Sequence, residues 1–287
     1  MRASARIVGV AIVVLAITAG GIWSAAIHAN RGGILTVSFL NVGEGDAIFI
    51  QAPSGRTALI DGGPDTGVLR QLGAVIPWYT RSIDVVIPTH PDADHITGLI
   101  DVLERYNVSY IIQSSVLGDT PVWNSLENEI KKSAEQGTKV ITAMRGQVID
   151  LGNGTYLEVL MPDRNVPNVD TNVGCVVTRL VYGATSFIFS CDAPQNIENY
   201  LVYLDGKNLH SDVLKAGHHG SANSSSPPFV GFVDPQYAVY SRGCDNKYGF
   251  PASSTVATFK QMNIPTLDTC TDGTVTFTSD GETVNKK

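Results

Sequence analysis

From residue 34 onward, short apolar runs alternate with polar, glycine-rich breaks. Residues 34–40, 47–50 and 57–60 are too short for helices and rich in branched and aromatic side chains, so they predict the strands of a β-meander. Residues 83–87 predict another strand, and then the period changes. Ile96, Leu99, Ile100, Leu103 and Tyr106 recur at helical spacing directly after His95. A strand around Ile111 and a helix over 126–134 follow. Strands are predicted again at 156–161, 176–181, 186–189, 212–215, 237–241 and 273–277. Tyr182-Gly183-Ala184-Thr185 predicts the turn of a hairpin joining the 176 and 186 runs. Mixed strands with interspersed helices, and no strict βαβ alternation, predict an α/β fold of two sheets with helices outside them.

The first thirty residues carry a different pattern. Arg2 and Arg6 lead into residues 7–27, which contain no Asp, Glu, Lys or Arg. A membrane-spanning helix needs about 20 such residues, whereas the apolar core of a signal peptide has about 7–15. The length therefore favours a span, and the basic flank favours an N-terminus in the cytoplasm with the rest of the chain outside. Gly20-Gly21 would shorten the apolar helix, and Ser24-Ala25-Ala26 offers small residues where a signal peptidase could cut. Residues 1–29 are thus read as a membrane anchor or signal peptide, 30–33 as a linker, and 33–287 as the working domain. That domain would be held at the cell membrane on its outer side, or secreted.

Charge and cysteine content narrow the picture. A net charge of −7 does not suit a body that grips long nucleic acid through bulk electrostatics. It leaves room for a nuclease, because bound divalent ions invert the local field. Cys175 and Cys191 are equidistant from Gly183, so a cross-strand bridge is one reading, with Cys244 and Cys270 as the remaining pair. Buried free thiols are the other reading. No Cys-x-x-Cys occurs, which argues against a zinc–thiolate site.

The chemistry concentrates after residues 83–87. That strand runs into Thr89-His90-Pro91-Asp92-Ala93-Asp94-His95, and a helix starts there. Residues 90 and 92, two apart on an extended loop, project to one side. Asp94 and His95 enter the helix and can point back at the same space. Two imidazoles and two carboxylates within six residues form a dense set of hard and borderline metal donors. Asp94 as a helix cap and Pro91-Asp92 as a turn would be the plain alternative. That alternative leaves two histidines at the end of a buried strand unexplained.

The motif resembles the His-x-[His/Asp]-x-Asp-His signature of the metallo-β-lactamase superfamily. More narrowly, it resembles the hydrolase domain of bacterial competence DNA-uptake proteins of the ComEC type and its free-standing relatives. Phe39-Leu-Asn-Val-Gly-Glu-Gly-Asp46-Ala, Leu59-Ile-Asp61-Gly-Gly63 and Val213-Leu-Lys215-Ala-Gly-His218-His219-Gly220-Ser221 are similar to further motifs of that family, in the same order. The resemblance implies an αββα sandwich and two divalent metal ions, Zn²⁺ or Mn²⁺. His90 and Asp92 would serve one ion, and Asp94 and His95 the other. Asp192 would bridge them, and His218 would complete the second ion with His219 close by as a substrate-facing or supporting group. Asn172 lies where many members place a further histidine, and Asp61 matches a carboxylate that orients the histidines of the loop.

Two such ions would polarise a phosphoryl or carbonyl oxygen and bring the pKa of a water from about 16 to about 7. Asp94 could orient that water, and Lys215 is a candidate partner for a substrate phosphate, unless it is simply solvated. Three departures concern the substrate side: Phe250 replaces a usual histidine, Asn41 and Glu44 replace Asp and Gln, and Ser190-Cys191 replaces Thr-Gly before Asp192. The expected function is a metal-dependent phosphodiesterase or nuclease acting on a phosphate ester, DNA among the choices. A hydrolase of a cell-wall phosphodiester, ester or lactam is the alternative, and a catalytically silent metal-containing binding protein the third. The long multi-helix channel of a complete uptake protein is not part of this sequence.

Overall fold

The computed structural model describes residues 2–29 and 32–287. Asn30 and Arg31 of the expected linker lie outside the described residues, as do the side chains of the expected cleavage site, Ser24-Ala25-Ala26. Helix α1 runs Arg2–Ala29. Among the described residues no helix is long and apolar enough to cross a membrane; the side chains of α1 are described only over 9–21 and at Trp23.

From β1 (Leu35–Phe39) the chain continues through β2 (Ile48–Gln51), β3 (Thr57–Ile60), α2 (Gly67–Val75), β4 (Ser82–Ile87), α3 (Ala93–Arg105), β5 (Asn107–Gln113), α4 (Pro121–Glu135) and β6 (Lys139–Thr142). Then come β7 (Val148–Gly152), β8 (Thr155–Met161), β9 (Val177–Tyr182), β10 (Thr185–Phe189), α5 (Gln195–Asp205), β11 (Val213–Lys215), α6 (Pro227–Val233) and β12 (Tyr237–Tyr240). The chain closes with α7 (Ser253–Gln261), β13 (Thr266–Asp268), α8 (Thr269–Asp272), β14 (Val275–Ser279) and β15 (Val284–Lys286). One sheet has the order β15-β14-β1-β2-β3-β4-β5-β6, the other β13-β12-β11-β10-β9-β8-β7. Each is antiparallel in one half and parallel in the other: β3 to β6 run parallel in the first, and β10 to β13 in the second.

Side chains alternate across each strand, which sorts the apolar residues into three layers. Val85 and Ile87 of β4 point into the inter-sheet core with Phe187 and Phe189 of β10. Val86 points the other way, onto Leu72 of α2, Leu99 of α3 and Leu126 of α4. Ile188 packs outward on Leu201 of α5, Phe229 of α6 and Phe259 of α7. Helix, sheet, sheet, helix is the αββα sandwich that the resemblance implies.

The hairpin register differs from the one centred on Gly183. Thr185 pairs with Tyr182 and Phe189 with Thr178, so the turn is centred between Gly183 and Ala184. A shift of one residue moves side chains to the other face, and Cys175 no longer stands opposite Cys191. Those two are buried free thiols. Cys244 and Cys270 form a disulfide.

Candidate metal centre

The parallel halves of both sheets deliver their C-terminal ends to one place, where open α/β sheets collect ligands. Asp61 follows β3, His90 follows β4, Asp192 follows β10, Lys215 ends β11, and Ser241 follows β12. Each carries a polar group inward from the end of a largely buried strand.

Asp61 is fully buried and sits behind the loop. Its Oδ1 accepts from Thr89 N–H at 2.8 Å, and its Oδ2 accepts from Thr89 Oγ1 at 2.7 Å and from His95 Nδ1 at 2.8 Å. Since the Thr89 hydroxyl donates to Asp61, it accepts from His90 Nδ1 at 2.9 Å. His219 Nδ1 donates to the Ser241 carbonyl at 2.8 Å. All three imidazoles therefore carry their proton on Nδ1, which leaves the Nε2 lone pairs free to face the centre.

There they meet only acceptors. His95 Nε2 and His219 Nε2 lie 3.3 Å apart. Asp192 Oδ2 is 3.4 Å from the first and 3.3 Å from the second. Asp94 Oδ2 is 3.4 Å from His219 Nε2 and 3.9 Å from His95 Nε2. Donors held about 2.0–2.2 Å from one ion at tetrahedral angles lie roughly 3.3–3.6 Å from each other. His95 Nε2, His219 Nε2 and Asp192 Oδ2 at that mutual spacing, with Asp94 Oδ2 beside the two rings, need positive charge among them, as protons or as a cation, so the residues fit a divalent ion. A second pair lies beside them: His90 Nε2 is buried with no hydrogen-bond partner, 3.6 Å from Asp92 Oδ2.

Asp46, His95, Asp192 and His219 form a buried group whose ligand-type atoms lie within 4.8 Å of one another. Asp46, however, faces the Nδ1 side: its Oδ2 is 3.9 Å from His95 Nδ1 and its Oδ1 3.7 Å from His219 Nδ1. It stands behind the imidazoles, and Asp94 stands in front. Lys215, the expected phosphate partner, has no exposed surface. Its Nζ donates to Asp46 Oδ2 at 2.6 Å, to the Cys191 carbonyl at 3.0 Å and to Asp192 Oδ1 at 3.3 Å. It is an interior counter-ion, neither solvated nor open to a substrate.

The remaining expected residues separate by exposure. His219 is buried, whereas His218 is partly exposed with Nε2 3.6 Å from Asp192 Oδ2. Asp92 precedes α3 and makes no side-chain cap, and Asp94 lies within the helix, so both carboxylates stay available to the cleft. The Asn172 side-chain oxygen is buried without a hydrogen-bond partner. Cys191 Sγ lies 3.4 Å from His90 Nδ1.

The electrostatics follow from the crowd of carboxylates. Burial, the largest influence on His219, disfavours its charged form, yet the Asp192 charge and bonds from Asp192 and Asp94 raise its pKa to about 9. Burial likewise works against ionised Asp94 and Asp192, but the neighbouring imidazoles hold both well below the usual carboxylate range. Backbone geometry is unusual as well: Asp61, Cys191, His218 and His219 all have positive φ. Such residues cost about 1–3 kcal/mol each and persist where packing over-determines them.

The sequence profile of the metallo-beta-lactamase superfamily matches residues 40–243. The chain belongs to the metallo-beta-lactamase superfamily. Within it, the chain is 27% identical over 258 residues to ComE operon protein 3 of Bacillus subtilis, covering 84% of this chain and 32% of that one. It is 28% identical over 245 residues to competence protein ComA of Neisseria gonorrhoeae, again covering 84% and 32%. The chain thus spans about a third of the length of these competence proteins of the ComEC type. Among solved structures, Zn²⁺-bound PqqB of Methylobacterium extorquens superposes with a TM-score of 0.52 at 12% identity, over 82% of this chain and 97% of that one. A metallo hydrolase of Ignicoccus hospitalis superposes with a TM-score of 0.51 at 12% identity, over 84% and 98%. These likenesses carry the fold alone.

Three groups of the centre had no role in the sequence analysis. Asp46 was visible only as a letter in the 39–47 motif, although an acid between Gly45 and Ala47 at the mouth of a buried strand was a usable signal. Thr89 and the Ser241 carbonyl act through a hydroxyl and a backbone oxygen, which no ligand spacing reveals. A cavity of about 560 Å³ lined by Arg145, Arg179, Lys207 and His210 contains none of the centre's residues, and its arginines face Asp205 and Glu158.

Proposed function

We propose that the chain is a metal-dependent phosphodiesterase tethered at the outer side of a membrane. The observation that carries the chemistry is the cluster of His95 Nε2, His219 Nε2 and Asp192 Oδ2, 3.3 to 3.4 Å from one another, with Asp94 Oδ2 3.4 Å from His219 Nε2 and 3.9 Å from His95 Nε2. These residues would hold one ion, and His90 with Asp92 would begin the site of a second. Bound Zn²⁺ or Mn²⁺ would polarise a phosphoryl oxygen and bring the pKa of a water from about 16 to about 7.

The chain's own residues do the rest. Asp61 and the Ser241 carbonyl hold the Nδ1 protons, so the Nε2 atoms stay aimed while substrate comes and goes. Lys215 offsets the charge of Asp46 and Asp192, which keeps so many carboxylates together in the interior. Asp94 Oδ2, on the cleft side, is placed to accept the proton of an attacking water. His218 Nε2, at the rim, is placed to give one to the leaving oxygen. In this reading His219 takes the inner, ligating position and His218 the outer one, the reverse of the order implied by the resemblance. The phosphodiester class is supported by the likeness to competence proteins, and DNA is the substrate to try after a simple diester.

The tether is supported by the 28-residue helix α1, on which Val10, Ile12, Val13, Val14, Leu15 and Ile17 are all more than half exposed. In detergent, the full chain should hold about two divalent ions and cleave bis-p-nitrophenyl phosphate. The Asp94→Ala/His95→Ala double variant should lose both metal and turnover. Metal without cleavage of diesters, esters or lactams would make the chain a silent binding protein. Failure to take up either Zn²⁺ or Mn²⁺ at neutral pH would overturn the reading.

A further inference from the structure

The loop that departs from the family pattern builds a surface at the mouth of the centre. Phe250 stands where the resemblance implies a histidine, and its ring lies 5.6 Å from that of His218 and 6.3 Å from that of His219. Tyr248 stacks on Phe250 at 5.4 Å with 19° between the planes. The Lys247 ammonium lies 5.2 Å over the Tyr248 ring. An aromatic tier therefore runs outward from the buried histidine, through Phe250, to a tyrosine that is 58% exposed.

This tier is held rigidly. Asn246 accepts from Phe250 N–H at 2.8 Å and donates to the carbonyls of Phe250 at 2.9 Å and Gly243 at 3.1 Å. Gly243 N–H donates to the Glu44 carboxylate at 3.0 Å, and Ala252 N–H to the Gly220 carbonyl at 2.9 Å. The Cys244–Cys270 disulfide fixes the start of the loop. A flat aromatic face that is already ordered gives up little entropy when a second flat ring lies on it.

We propose that Tyr248 and Phe250 are a base-stacking platform, and that the substrate is therefore a single-stranded or frayed nucleic acid whose base stacks beside the phosphodiester at the metal centre. The inference rests on the phosphodiesterase reading and names its substrate. A cation over an aromatic face suits a base with its neighbouring phosphate. A sugar ring would ask for free amide or carboxylate groups to bond its hydroxyls. The loop's one amide, Asn246, is spent on the backbone, which leaves the exposed Asp245 as the loop's one such group. Stacking also answers the acidity of the chain, because it needs no basic body: each base contributes through its π-face.

The test is fluorescence anisotropy with the full, metal-loaded chain in detergent, using nuclease-resistant phosphorothioate decamers that are either all thymidine or abasic. The wild type should prefer the thymidine decamer by roughly five- to a hundredfold. Tyr248→Ala should bring that ratio to about one, and Tyr248→Phe should restore it. Lys247→Ala should weaken both decamers alike. Equal binding of the two decamers by the wild type, no binding of either, or a preference that survives Tyr248→Ala would overturn the platform. So would displacement of the decamer by a chitin tetrasaccharide in a Tyr248-dependent manner, which would make the platform a sugar site. Hydrolysis of bis-p-nitrophenyl phosphate is scored separately. Turnover without base preference sinks the platform alone, and base preference without turnover sinks the phosphodiesterase reading alone.

Discussion

One carboxylate, Asp61, fixes two histidines: His95 directly and His90 through Thr89. Asp61→Asn keeps the volume but sets an N–H₂ against one of these donors. Metal affinity should fall about 10–100-fold while the fold survives, measured by competition with a chromophoric chelator. Lys215 sets a different test. Lys215→Met leaves Asp46 and Asp192 buried without their cation, and breaking such a pair costs about 3–5 kcal/mol; urea unfolding of the metal-free protein reads it. Proton competition gives the pH dependence. His219 holds its proton to about pH 9 in the metal-free protein and must release it to ligate. Metal binding should therefore tighten as pH rises from 6 to 9, up to about tenfold per unit for one displaced proton. Calorimetry in buffers of different ionisation enthalpy should detect that proton, and a pH-independent affinity would rule it out.

At the scale of elements, the close approaches are made by glycines. Gly45 has φ +87°, and a Cβ there would lie 1.8 Å from the Asp94 carbonyl oxygen. Gly45→Ala must push the 43–45 loop away from α3, so metal affinity should fall more than thermal stability does; an unchanged affinity would mean that the loop gives way freely. Much of this architecture was legible beforehand. The three-residue and four-residue spacing of Ile96, Leu99 and Leu103 predicts α3, and the buried runs predict β1 to β4 within one or two residues, because these elements bury one clear face. Edge strands were not legible. Lys139, Val140 and Thr142 of β6 are exposed, so no inward stripe marks them. Helix α5 escaped because Glu198, buried in it beneath the Ser225 and Ser226 amides, breaks the apolar pattern where the pattern should be strongest. Burial raises the pKa of that carboxyl to about 7, against the pull of the two amides. A raised acid pKa favours the protonated folded state, so this group's contribution to stability should be lost as pH climbs from about 5 to above 7. The candidate site was legible where ligand-type residues cluster in sequence, at 90–95. Which of His218 and His219 is the buried ring was not, because positive φ at both decides which ring turns inward.

For the whole molecule, the disulfide and the proposed tether bear on where it works. Cys244–Cys270 closes a loop of 26 residues, for which chain entropy gives roughly 3–4 kcal/mol. Reduction with a phosphine should lower the melting temperature by about 10 °C, and no change would mean that the bond adds nothing to stability. Full-length chain expressed in bacteria should sediment with membranes and resist an alkaline carbonate wash. Recovery in the supernatant would remove the anchor.

The donors are divided between the two sheets. Of the candidate donors, His90, Asp92, Asp94 and His95 come from the strand end of the first, and Asp192 and His219 from the second. A metal ion seated among them is a rivet through two plates. A chain that has folded only its first half owns half a centre and can cut nothing, so activity certifies assembly. Two separately made fragments, divided in the 143–147 turn, would rejoin more tightly with Zn²⁺ than without it, and hydrolysis would report the moment they close.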